Sequence, residues 1–133
     1  MARKVGMHER LYARGKITDA EWNWACRYVV ETEIAAGARL GRPECEPAEP
    51  WAGPLIYNRQ CAAARFLRRA HQSLNDQDKD VLIAACVDCL VLAQLGVLLT
   101  LYPKPHEDIT AYTNRISTRV NAACVRIIQQ AAR

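Results

Sequence analysis

The sequence predicts an all-α fold of five to six helices, and three observations predict it. Only six glycines and six prolines punctuate the 133 residues, and alanine is frequent, as helices favour. Apolar residues recur at spacings of three and four over long stretches. No segment reads as a convincing strand. The length favours one domain with a buried core, spanning 1–133. Within it we expect an N-terminal helical pair over 1–37, a Pro/Glu-rich loop over 38–54 and a helical core over 55–133, which includes a helix-turn-helix-like segment.

A first helix is expected over 3–14, with Val5, Leu11 and Tyr12 on one side and Gly15 closing it. The second, over 18–36, carries the strongest start signal. Thr18 followed by Glu21 makes a capping box, Ile17 can staple onto Trp22, and Gly37 ends the helix. Trp22, Ala25, Cys26, Val29, Val30 and Ile34 give its apolar spacing, while Trp24 and Tyr28 form a second aromatic edge. Residues 38–54 hold four prolines and three glutamates, which no helix tolerates. Trp51 is expected to anchor that loop.

Pro54 suits the first turn of a third helix over 55–74. Arg65, Arg68 and Arg69 cluster in its C-terminal half, where cations also suit the helix dipole. The stretch NDQD at 75–78 breaks the chain and caps a helix running to about 86. Asp88 is expected to cap a short helix over 89–95, with Gly96 as its end. Two acids, Glu107 and Asp108, suit the first turn of a final helix over 106–132. Its core face would hold Ile109, Tyr112, Ile116, Val120, Ala123 and Ile127, and Arg115, Arg119, Arg126 and Arg133 fall away from it.

The apolar run over 81–101 is long enough to span a bilayer, but Asp88 sits at its centre. Two short buried helices account for it better, so no membrane partner is expected. The polar N-terminus, MARKVGMHER, has no apolar signal core, and the expected compartment is the cytoplasm. In that reducing setting the six cysteines are expected as buried thiols, not disulfides. Cys86 and Cys89 have the C-x-x-C spacing of a metal site, yet no second motif supplies two more ligands. No metal and no cofactor are expected.

Catalysis finds little support. None of the common nucleophile, phosphate-loop or metalloprotease motifs occurs, and the three histidines lie far apart. Asp76, Asp78 and Asp80 alternate as in an ion-binding loop, but Val81 and Val87 occupy the positions where an EF-hand needs Gly and Glu. The expectation is a protein that is not an enzyme.

Charge is patterned more than it is large. The net charge is +4, with basic blocks at 1–17, 55–74 and 104–133 and acidic blocks at 18–50 and 75–90. Distinct basic faces attract polyanions. The segment DVLIAACVDCLVLAQLG, followed by a long basic amphipathic helix, fits two helices of a helix-turn-helix. Lys104, Thr113, Asn114, Arg115, Thr118 and Arg119 are the DNA-contact candidates there, with Arg65, Arg68 and Arg69 as a second phosphate contact.

The stretch LYARGKITDAEWNWACRYVVETE resembles the opening of a domain of alphaproteobacterial phage-like regulators. There a leucine, an Arg-Gly and an Ile/Leu-Thr pair precede a helix running into Arg-Tyr. DVLIAACVDCLVLAQLG resembles their helix-turn-helix, which is similar to the promoter-reading fourth region of sigma factors. The family includes activators of gene transfer agents. The resemblance implies a transcription regulator that acts at promoter DNA with RNA polymerase or a partner regulator. In this chain VLLTLYPKPHED separates the Leu-Gly from the last helix. Two other readings stand beside it. One is a protein-interaction module that docks on polymerase or a partner through Trp51, Trp24 and Tyr28 without touching DNA. The other is a small zinc-stabilised module using Cys86 and Cys89.

Overall fold

The computed structural model describes residues 4–37 and 52–133, and the described residues are all-helical. The expected loop anchor Trp51 and the stretch 38–51 lie outside them.

Helix α1, Met7–Ala13, starts later than expected, so Val5 precedes it and is exposed. Leu11 is its buried anchor. Gly15, at φ +69°, closes it as a Schellman motif: the Gly15 N–H reaches the Tyr12 carbonyl and the Lys16 N–H that of Leu11. Helix α2, Asp19–Ala35, opens on the predicted capping box, with Thr18 Oγ1 accepting from the Glu21 N–H at 3.1 Å. Gly37, at φ +80°, closes it. The two helices are tied by rings: His8 and Tyr12, one turn apart on α1, both stack on Trp22.

The buried face of α2 is Ala25, Tyr28, Glu31 and Ile34. That corrects the expected face and removes Tyr28 from any docking surface, because its side chain is wholly buried. Helix α3, Ala52–His71, starts three residues before the expected boundary and carries Pro54 in its first turn. It packs on α2. Glu31, buried between them, accepts two hydrogen bonds from the Arg59 guanidinium at 2.9 and 3.0 Å. A buried carboxylate needs such pairing.

Asn75 caps α4, Asp76–Leu82, through its side-chain oxygen and the Asp78 N–H. The helix then widens into a π turn, Ile83–Val87. Asp88 ends it, Cys89 takes the left-handed conformation at φ +56°, and the Leu90 N–H reaches back to the Ala84 carbonyl. Helix α5 is Leu92–Leu98, not 89–95, and Gly96 lies buried inside it. A Cβ on Gly96 would lie 3.4 Å from Ile116 of α6, so the glycine marks a close helix crossing. The left-handed C′ residue of α5 is Thr100, at φ +57°, in a second Schellman motif: its N–H bonds the Val97 carbonyl and that of Leu101 bonds Gly96.

Asp108 caps the last helix, α6, Ile109–Ala131, so the acids precede its first turn. Its buried face is Ile116, Val120, Cys124, Ile127, Ile128 and Ala131. The expected Ile109 is instead 83% exposed, beyond the edge of the core. Helix α6 touches α1, α2, α4 and α5 and is the axis of the molecule. The apolar run 81–101 is thus divided between the end of α4, the π turn and α5. Among the described residues no helix is long and apolar enough to cross a membrane.

Candidate nucleic-acid interface

The C-terminal half of α3 and that of α6 border one basic surface. On α3, Arg65, Arg68 and Arg69 are exposed, spaced three and four apart on one helical face. Among the described residues none of the three has a carboxylate partner. They line a depression of about 710 Å³ whose wall also includes Lys79, His71 and Gln72. The Asn75 cap turns the chain directly from α3 into α4 and brings Lys79 opposite the arginines. Lys79 pairs loosely with the fully exposed Asp76 at 3.4 Å.

Arg69 and Gln72 also border a second depression, shared with Arg126, Gln129 and Arg133 of the α6 end. Arg126 and Gln129 border a third, shared with Thr118, Asn121 and Lys16. The three form one continuous strip, and no acidic residue among those described lines it. The strip is held in shape from beneath. Arg126 donates to both oxygens of buried Asp78 at 3.1 and 3.2 Å, joining α6 to α4. Gln130 exchanges hydrogen bonds with Ser73 in the α3–α4 turn.

His71 lies at the wall of the first depression. Its Nε2 is 2.6 Å from the buried Tyr28 hydroxyl. Tertiary packing thus brings together two residues 43 apart in sequence. Burial, with help from Lys79, lowers the His71 pKa, and burial raises that of Tyr28.

The predicted DNA contacts divide. Arg65, Arg68, Arg69 and Thr118 lie on the strip. Lys104, Thr113, Asn114 and Arg119 are exposed but line none of its three depressions. Arg115 is committed elsewhere. It grips Glu107 with two hydrogen bonds of 2.8 and 2.9 Å and the Tyr102 carbonyl at 2.7 Å. Only 19% of its side chain is exposed, so it pins the α5–α6 connection and is not open to a phosphate. That pairing, with the Lys104 N–H, holds the Glu107 carboxyl down to about 2. Sequence reasoning left out Lys79, Gln129 and Lys16. The signal for the α6 part was a stripe of Thr118, Ala122, Arg126, Gln129 and Arg133, spaced three and four apart and polar at every position but 122.

Where the helix-turn-helix was expected, the described elements run differently. The short turn, 88–91, joins the end of the π turn to α5, and ten residues, 99–108, separate α5 from α6. Helix α5 has no charged residue, and Val91, its N-cap, and Val97 within it are more than half exposed. Trp24, predicted to meet a partner, is half-buried, stacked on Tyr28 and against Phe66.

Cys86 is buried in the core, whereas Cys89 lies in the turn beyond the helix, so the pair does not share one helical face. Burial raises the thiols of Cys86, Cys26 and Cys89, and pushes Cys124 up to about 12. That disfavours the thiolate which metal binding and redox chemistry need. Among the described residues no group of three His, Cys, Asp or Glu is placed to hold a metal ion. Compared with models of known protein families, with curated proteins and with solved structures, the chain finds no match.

Proposed function

We propose that the chain is a DNA-binding regulator of transcription, of the phage or gene-transfer-agent type, whose work is binding and not catalysis. The observation that carries the DNA part is the acid-free basic strip, in which three arginines have no partner among the described residues. In water, exposed guanidinium groups held one turn apart on a rigid helix suit successive phosphates of a nucleic-acid backbone. Arg65, Arg68, Arg69 and Lys79 would bear on one stretch of backbone, with Arg133, Gln129 and Thr118 extending the track along α6. Lys104, Thr113, Asn114 and Arg119 stand as further contacts for a duplex that crosses the N-terminal half of α6. The regulatory part rests on the resemblance of the two quoted motifs.

RNA polymerase or a partner regulator is the second proposed contact. The uncharged outer side of α5, with Val91 and Val97 exposed, favours a protein over DNA there. A fluorescence-anisotropy titration of labelled duplex DNA tests the first part. The expected result is binding that weakens steeply as salt rises. Absence of binding at low salt would contradict it. A pull-down with polymerase tests the second, and loss of capture on Val97→Lys is expected.

A further inference from the structure

Among the described residues, the only titratable side chain near neutral pH that borders the basic strip is His71, and its surroundings are unusual. On its own helix it has Arg65, Arg68 and Arg69 around the same depression; from α4 comes Lys79; from α2 comes the hydroxyl of Tyr28. The Cys86 thiol of the π turn acts on Tyr28 from behind. No carboxylate among the described residues lines this depression. A further positive charge on His71 is opposed by burial and by Lys79, itself loosely paired with Asp76, as long as the depression holds only water. A phosphate in the depression reverses the local field.

We propose that the first depression seats a backbone phosphate of DNA, and that His71 couples its binding to the uptake of a proton. The inference rests on the DNA-binding reading above and adds a pH control to that site. The atoms permit it. In the neutral tautomer with its proton on Nδ1, Nε2 accepts from the Tyr28 hydroxyl. On protonation Nε2–H donates to that same oxygen, whose proton rotates away. The 2.6 Å bond holds the ring in place in both states, so charge changes without a change of shape. By linkage, the anion binds more tightly to the protonated form by the same factor as it favours the proton. Acid therefore strengthens DNA binding, and DNA makes the ring more basic.

The test follows the His71 ring by NMR through a pH titration of the full chain, free and saturated with a short duplex of arbitrary sequence. His71→Gln identifies its signal, and glutamine retains an acceptor for the Tyr28 hydroxyl. The titration midpoint is expected to rise when DNA is added. In parallel, affinity is expected to grow about threefold to tenfold for the wild type between about pH 7.5 and pH 5.5, beyond any gain in His71→Gln. An unmoved midpoint, or an equal gain in the variant, overturns the coupling. Failure of the wild type to bind the duplex at about pH 7.5 overturns the DNA-binding reading itself, so the two failures are distinguishable.

Discussion

Arg115 and Arg68 are both arginines on the polar side of a helix, and they serve different ends. Arg115 is spent on Glu107 and the Tyr102 carbonyl, while Arg68 faces an acid-free depression. Arg115→Ala should lower the melting temperature and leave the salt dependence of DNA binding unchanged; a changed salt slope at an unchanged melting temperature would contradict this. Two titrations separate on the acid side. The folded state holds Glu107 below its ordinary value, down to about 2, so its stabilisation is complete above about pH 4.5 and is lost as pH falls toward 2. His71 is also lowered in the fold, so the unfolded chain takes up its proton first and stability declines from about pH 6.5 downward. Denaturant midpoints measured against pH should show two declines, and His71→Gln should remove only the upper one. The helical period put Arg115 on the polar side. Nothing local announced that a loop eight residues upstream would fold back onto it, because the path of a connection is set by tertiary packing.

At the scale of elements, glycine is the residue whose meaning had to be read from the structure. Gly15 and Gly37 close α1 and α2 in the left-handed conformation, as their place after an apolar stripe implies. Gly96 has the same look in sequence but is helical, buried and set against Ile116. The left-handed corners on either side of α5 are instead Cys89 and Thr100, which carry no turn signal. That is why the short helix was expected to end at Gly96 and not four residues later at Thr100. Gly96→Ala should stabilise the protein by about 0.5–1 kcal/mol, since the new methyl meets Ile116 at ordinary contact distance and alanine favours the helix. Thr100→Gly should also stabilise, by up to about 1 kcal/mol, by relieving a β-branched residue at positive φ. Chemical denaturation measures both, and a destabilised Gly96→Ala would mean that this glycine is a turn after all. Capping signals were legible because a cap is a contact between residues three apart, as Thr18 and Glu21 show.

Across the whole molecule, function is proposed to follow from where unpaired charge is left after the fold has used what it needs. Arg59, Arg115 and Arg126 close the gaps between α2 and α3, between the α5–α6 connection and α6, and between α4 and α6. Among the cations that remain are Arg65, Arg68 and Arg69 of α3 and Arg133 beyond the α6 end, with Lys79 of α4 held only loosely by Asp76. The Arg65–Arg68–Arg69 cluster was legible because its spacing is helical. Lys79 and Arg133 were not linked to it, because only the tight α3–α4 turn and the packing of α6 bring three distant segments to one surface. The most direct test of the central claim is the affinity for duplex DNA as a function of salt, for the wild type and for Arg65→Ala/Arg68→Ala/Arg69→Ala. Each phosphate contact contributes about 0.9 to the slope of log affinity against log salt. The triple variant should bind more weakly at every salt concentration, with a slope shallower by about 2–3. An unchanged slope in a folded triple variant would contradict the account.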